Sequence, residues 1–337
     1  MTDRWKTKAV VFPDAGKCEW TTLTLREPQE TDIVVRTVIT AISPGTERWV
    51  LKGKHIGTKF PCVPGYMRIG VVETCGRAVS AFKPGDWVYG KDGTWLEPVH
   101  PMWGAHMAWT AGDWKNYRFI SASPPDAAEL ELMVFTILAG VAHRGVRFCA
   151  PLPHQRMVII GAGIIGAVAA QFAAHLGAVP ILIEADPRRC DFLRPLVPDI
   201  ICARRDDLDE EIRRRAPAGV DIVYDTAGDA AATDRMVKLM RPQGTLLLQA
   251  QYFDRERCAI DLDQIKIREI TVRTTISIDD IDFFETLSAI RRRIIHIAPL
   301  ITHRFQLKDA LAGFQMLLAA EPFSMGMVIH WESASFG

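Results

Sequence analysis

The apolar run Met157-Val158-Ile159-Ile160 stops at Gly161, an Ala-rich stretch follows from Ile164 to Gly177, and a second apolar run, Val179 to Ile183, ends on Glu184. A short, uninterrupted β-branched run bounded by glycine predicts a strand covered on both faces, and the Ala-rich stretch predicts a helix. The alternation continues, so that Val158–Ile160, Ile181–Ile183, Ile200–Cys202, Val220–Tyr224, Thr245–Gln249 and Ile270–Thr275 are six predicted strands. Six strands alternating with helices predict a doubly wound parallel sheet, an α/β Rossmann domain. Residues 7–125 follow another rhythm. Short β segments, Ala9–Phe12, Ile33–Val38, Ile69–Glu73 and Trp87–Tyr89, are broken by turns and predict a β-rich, barrel-like domain. A helical pattern begins at Ala127, and the tail predicts helices over Phe283–Arg293 and Lys308–Ala319 and a last strand over Gly326–Trp331.

The glycine turn carries the first candidate chemistry. Gly161 permits the tight turn out of the strand, Gly163 lets backbone amides approach a pyrophosphate, and Gly166 lets the helix pack close to the sheet. The amides of Ile164, Ile165 and Gly166 then stand at the positive end of the helix dipole, where an anion is stabilised. Glu184 follows Gly166 by about the 20 residues expected of the acid that holds the adenosine ribose hydroxyls. A carboxylate there repels a 2′-phosphate, so the expected cofactor is NAD(H) in preference to NADP. Arg189 is expected beside the adenosine ribose, and Arg188 and Arg189 are the residues that would clamp a phosphate if Glu184 pointed away.

Composition narrows the class. Forty basic and forty acidic residues cancel, which leaves no global field to recruit nucleic acid or anionic lipid. The apolar stretch from Met157 to Ile183 has three glycines within six residues and is interrupted by Gln171 and His175, and is not a membrane span. Met1 to Ala9 has no apolar signal core. Seven cysteines, never spaced as CxxC, indicate neither a disulfide framework nor a zinc knuckle. A cytoplasmic enzyme acting on a small molecule, with no membrane insertion, is the expectation.

Three segments resemble one family. Pro64-Gly65-Tyr66-Met67-Arg68-Ile69-Gly70-Val71-Val72 looks like PGHExxGxV, Phe82-Lys83-Pro84-Gly85-Asp86-Trp87-Val88 like FxxGDxV, and Leu300-Ile301-Thr302-His303-Arg304-Phe305 like ITHRF; all are motifs of the medium-chain dehydrogenase/reductase superfamily. The resemblance implies a GroES-like catalytic domain built from both chain ends, residues 1–137 and 276–337, a Rossmann domain over 138–275, and an active site in the cleft. It also implies a homodimer in which the strand Ile270–Thr275 pairs with its symmetry mate. Ser43-Pro44-Gly45-Thr46-Glu47 and Val63-Pro64-Gly65-Tyr66 look most like the branch typified by bacteriochlorophyllide a dehydrogenase, which oxidises a secondary alcohol on a macrocycle; relatives with the same segment have other substrates.

The departures from the family's pattern bear on mechanism. Its zinc-dependent branch uses Cys, His and a further Cys or acid, whereas this chain has Ser43 to Glu47, Tyr66-Met67 and Thr136 in those regions. Phenol, hydroxyl and thioether groups do not replace thiolate and imidazole on zinc, so no zinc is expected. A protein hydroxyl must then polarise the carbonyl, and Tyr66, in a former ligand position, is the candidate. Thr46 matches the relay hydroxyl and Glu47 the neighbouring acid. The alternative is that Tyr66 is a packed turn residue and Glu47 an ion-pair partner of Arg68 or Arg48. Thr226, in Asp225-Thr226-Ala227-Gly228, resembles a contact to the nicotinamide end. Trp95, His100, Trp103, His106, Trp109 and Trp114 either line a pocket for a bulky or planar ligand or fill the core. His106 is open as an acid or base, and His303 reads as structural. Two other functions stay open: an NADPH-dependent enoyl or quinone reductase, and a nucleotide-binding protein without turnover.

Overall fold

The structure, a computed structural model, describes residues 5–253, 258–319 and 323–331. It divides into two compact units, Met1–Phe135 with Ile301–Gly337, and Thr136–Leu300.

The second unit is built on a six-stranded parallel sheet in the order Ile200–Cys202, Val179–Glu184, Arg156–Ile160, Val220–Asp225, Met240–Leu248 and Thr271–Thr274. All six predicted strands are present. The central strands are buried on both faces, as uninterrupted apolar runs require. The chain first walks outward from Arg156–Ile160 and then crosses to Val220–Asp225 to continue the other way. These two neighbours, paired up to Ile160 and Asp225, form the switch point at whose carboxyl ends α/β sheets bind ligands. The helix Ile164–His175 packs on the sheet through Ala167, Ala169, Ala170 and Ala173, all buried.

The helix Asp280–Arg291 belongs to this same unit, although the sequence expectation assigns residues from 276 onward to the chain-end domain. An ionic cluster explains the difference. Asp282 is fully buried and accepts from Arg144 and Arg147 of the helix Thr136–Cys149 at 2.9 and 3.0 Å, and its Oδ1 lies 3.0 Å from His143 Nδ1. Asp279 caps the helix and shares both arginines. Burial pushes the Asp282 carboxyl up, but the hydrogen bonds from Arg147 and Arg144 outweigh it and hold the group below its ordinary value.

In the first unit, seven strands form one sheet, ordered Ile301–Gln306, Gly326–His330, Asp32–Ile42, Arg68–Cys75, Trp87–Gly90 and Tyr117–Ser121, with Trp109–Asp113 also paired to Asp32–Ile42. Chain-end strands thus pair directly with the amino-terminal ones, as the resemblance implies. The long central strand is almost wholly buried and delivers Ser43, Thr46 and Glu47 just beyond its end. The segment Lys6–Val11 instead pairs with Glu19–Thr24 in a separate two-stranded sheet. Among the described residues no single helix is long and apolar enough to cross a membrane.

Removing the Asp282 carboxylate takes the buried acceptor from the Arg144 and Arg147 guanidiniums and the His143 imidazole. Asp282→Ala is expected to cost about 3 kcal/mol in urea unfolding. Because the folded value of Asp282 lies below the unfolded one, its contribution is present above about pH 4 and is lost as pH falls through the folded value. Wild type is therefore expected to lose stability in acid more steeply than Asp282→Ala, measured as the urea midpoint against pH.

Candidate active site

Gly161 sits at φ +94°, where a side chain is strained, and a Cβ on Gly166 would lie 1.9 Å from the Gly161 carbonyl oxygen. The helix can therefore press its first turn onto the end of the strand only with glycine at both positions. Gly163 differs: no atom lies within 4 Å of where its Cβ would be. It caps the helix without a side-chain hydrogen bond, so the first-turn amides, those of Ile164, Ile165 and Gly166 among them, have no intrahelical acceptors. Open space beside a bare helix N-terminus can receive a phosphate group.

Glu184 is nearly buried at the end of its strand, and its carboxylate is already well occupied. Oε1 accepts from the amides of Ala185 and Asp186 at 2.7 and 2.8 Å, and Oε2 from the amide of Ala162 and from Arg189 at 3.1 Å each. The acid thus ties its own strand end to the glycine turn. Arg189 faces Glu184, and Arg188 pairs with Asp186 at 3.2 Å, so each arginine is held by an acid. Thr226 donates its hydroxyl to the Ile160 and Gly161 carbonyls at 2.8 and 3.1 Å; it braces the turn from the neighbouring strand. Asp225, not singled out as a site residue by the sequence, caps that braced loop by accepting from the amides of Ala227 and Gly228 and the hydroxyl of Tyr252.

In the first unit, Tyr66 donates its hydroxyl to Ser43 Oγ at 2.7 Å. Burial pushes the phenol up to about 12, the hydrogen bonds with Ser43 and Thr46 pull it down, and the Glu47 charge adds to the rise. Tyr66, Ser43 and Thr46 therefore form a cluster of hydroxyls that is protonated at neutral pH. Glu47 is fully buried. Its Oε1 accepts from the Ser43 amide at 2.9 Å and its Oε2 lies 2.9 Å from His106 Nε2. The partner of Glu47 is thus His106, and neither Arg68 nor Arg48. Thr40 Oγ1 accepts from Trp331 Nε1 at 2.9 Å and lies 2.9 Å from His106 Nδ1, which completes an enclosed chain of five side chains and backbone groups from Ser43 to Trp331. His106 is itself 0% exposed, so it is no solvent-facing acid or base. Gly65, at φ +94°, makes room for it, since a Cβ there would meet the imidazole at 2.4 Å.

Ser43 and the Glu47–His106 pairing are absent from a sequence reading that looks for known positions. The signal for Ser43 was its place in the segment that carries Thr46; the pairing had no local signal. Of the tryptophans, Trp95 packs in the core and donates to the Val99 carbonyl, and Trp114 packs against Phe82. Trp103 meets the ring of Tyr66. His100 is exposed, and His303 stacks on Phe305. Metal binding fits these donors poorly. Both ring nitrogens of His106 are spent on Glu47 and Thr40, and among the described residues no three His, Cys, Asp or Glu side chains stand together.

Two contrasts test these packings. Gly166→Ala is expected to lower the melting temperature by several degrees or more, whereas Gly163→Ala leaves it within about a degree of wild type, by calorimetry. Glu47→Ala strands a buried imidazole and is expected to cost about 3 kcal/mol, with Glu47→Gln closer to wild type, by denaturant unfolding.

Comparison with known proteins agrees with this arrangement. Residues 29–122 match the alcohol dehydrogenase GroES-like domain and residues 165–292 the zinc-binding dehydrogenase domain. The chain is 25% identical over 340 residues to 2-desacetyl-2-hydroxyethyl bacteriochlorophyllide A dehydrogenase of Cereibacter sphaeroides, covering 98% of this chain and 100% of that one. Its fold matches a zinc-binding dehydrogenase of Sinorhizobium meliloti bound to NADP, with TM-score 0.81 and 19% identity over 96% of this chain and 99% of that one. It also matches an alcohol dehydrogenase of E. coli complexed with NADH, with TM-score 0.83 and 16% identity over 97% and 99%. With both family domains present in order and the two-unit fold in place, the chain belongs to the medium-chain dehydrogenase/reductase superfamily of oxidoreductases.

Proposed function

We propose that this protein interconverts a secondary alcohol and a ketone with NAD(H), without a catalytic zinc, on a bulky or planar substrate. The observation that carries the reading is the hydroxyl cluster at Tyr66, a phenol held protonated beside Ser43 and Thr46 in a site whose nearest imidazole pairing is closed off.

The glycine turn fits a dinucleotide: Gly163 leaves open space, the first-turn amides of Ile164, Ile165 and Gly166 point from the helix end, and Glu184 carries its charge beside them. The nicotinamide supplies the two-electron, hydride-transferring chemistry when bound. The chain's own residues do the rest. In reduction Tyr66 gives its hydroxyl proton to the carbonyl oxygen, and in oxidation its oxygen takes up the carbinol proton as its own passes to Ser43 Oγ, to which it donates. Ser43 and Thr46 share that proton through their hydroxyls. Glu47 acts at one remove, fixing the Ser43 backbone, so it is a positioning residue. Thr226 braces the turn and the Glu184 carboxylate disfavours a 2′-phosphate. The exposed edge strand Thr271–Thr274, with Val272 44% exposed and Ile276, just beyond its end, 82% exposed, is the surface we assign to a homodimer.

The second reading, an NADPH-dependent enone reductase, is favoured by one observation, the adjacent arginines at 188 and 189. They are paired with Asp186 and Glu184, and a 2′-phosphate would have to compete with both acids.

NADH is expected to bind at least about tenfold tighter than NADPH in fluorescence titration; the reverse order with enone turnover would replace the alcohol reading by the reductase. Tyr66→Phe is expected to lower kcat roughly a hundredfold with the NADH Kd unchanged. Elemental analysis is expected to find no stoichiometric zinc, and dialysis against a chelator to leave turnover intact.

A further inference from the structure

Trp103 takes a backbone conformation that its residue type disfavours. Its φ is +69°, and Asp92, to which its carbonyl is joined, has φ +77°. A bulky residue in the left-handed region persists only where its surroundings over-determine it. Here they do. The Asp92 amide donates to the Trp103 carbonyl at 2.7 Å, and Thr110 Oγ1 donates to the Asp92 carbonyl at 2.8 Å. Arg68, fully buried, donates to the Gly104 carbonyl at 3.2 Å, the Asp92 carbonyl at 2.8 Å and the Tyr117 hydroxyl at 3.1 Å.

All three acceptors of Arg68 are uncharged oxygens. Burying a guanidinium costs free energy that a carboxylate would normally offset. Here the Asp92 charge offsets part of that cost, two of the three bonds go to carbonyls of one loop, residues 92–104, and that loop presents the Trp103 indole. That indole meets the Tyr66 ring with centroids 5.3 Å apart and planes at 83°, and the His55 ring at 5.4 Å and 81°. Both contacts are edge-to-face, the arrangement aromatic quadrupoles favour. Trp103 is half-buried.

We propose that Trp103 is the specificity-determining wall of the substrate site, that Arg68 is the positioning residue that sets it, and that the site takes a carbinol or ketone whose reacting carbon is attached to a flat unsaturated ring. This rests on the reading of Tyr66 as the group that holds the substrate oxygen. A ring attached one bond from that oxygen's carbon lies beside the Tyr66 side chain, where the indole already packs against aromatic partners. A saturated ring of the same size lacks the π-surface that such packing rewards.

The test compares wild type, Trp103→Ala and Trp103→Phe on naphthyl methyl carbinol and its saturated, decalinyl counterpart. Trp103→Ala is expected to lower kcat/KM for the aromatic carbinol about tenfold or more and for the saturated one by less than about twofold, with Trp103→Phe retaining most of the selectivity. Equal losses on both substrates would overturn the proposal. If wild type oxidises neither, the Tyr66 reading fails, and the wall is judged by calorimetric titration with naphthyl methyl ketone. Saturable binding weakened about tenfold in Trp103→Ala supports it, and equal affinities, or no saturable binding to wild type, overturn it. Arg68→Met, where it folds by circular dichroism, is expected to reproduce the loss of selectivity with the NADH Kd unchanged; retention of full selectivity by a folded Arg68→Met removes Arg68 from the proposal.

Discussion

A methyl group at residue 166 would stand 1.9 Å from the Gly161 carbonyl oxygen, and the dinucleotide unit is organised around that closeness. Because nothing but hydrogen intervenes, the helix from Ile164 starts directly above the end of the central strand. Its dipole is thereby fixed at the switch point of the sheet. Side chains from two neighbouring strands hold the turn in place. Thr226 donates to two of its carbonyls and Glu184 accepts from its Ala162 amide. Each bond contributes on the order of 1 kcal/mol, but together they leave the turn one conformation, with its amides exposed at one point.

The first unit solves a different problem, that of keeping charge inside a β-rich core. Glu47 and His106 are both enclosed and meet at 2.9 Å, each giving the other a hydrogen-bond partner. Arg68 is enclosed too, and donates to two carbonyls and a phenol with the Asp92 charge in support. Both devices bear on Tyr66. One fixes the backbone of Ser43, the acceptor of the Tyr66 hydroxyl; the other fixes the loop whose indole touches the Tyr66 ring. A phenol pinned at both its oxygen and its ring edge loses little further freedom when it engages a substrate, which is what preorganisation requires.

Several elements were legible from the residue pattern alone. The six strands of the parallel sheet, the glycine turn and Glu184 at its distance from Gly166 follow from local periodicity and glycine spacing, while the pairing of the chain ends into one sheet was implied by the family resemblance. The tail was not legible in the same way. A helical pattern over residues 283–293 says that a helix forms, and says nothing of which unit it joins. That was decided by Asp282 meeting Arg144, Arg147 and His143, residues more than a hundred positions earlier.

The sequence by itself determined the fold class and the glycine turn between strand and helix, because each depends on residues close together in the chain whose spacing matches one period of helix, strand or turn, whereas the meeting of Tyr66 with Ser43, 23 residues earlier, needed the fold. Only the tertiary structure decided the partners of the buried charges and which tryptophan faces the tyrosine. Glu47 had arginines at 48 and 68 nearby in sequence, yet folding brought it His106, 59 residues away. Trp103 was one of several tryptophans of similar spacing until Arg68 and Asp92 bent the backbone that carries it. A buried charge selects its partner by position in space, and the spacing of residues along a chain does not encode which distant segments the sheet will bring together.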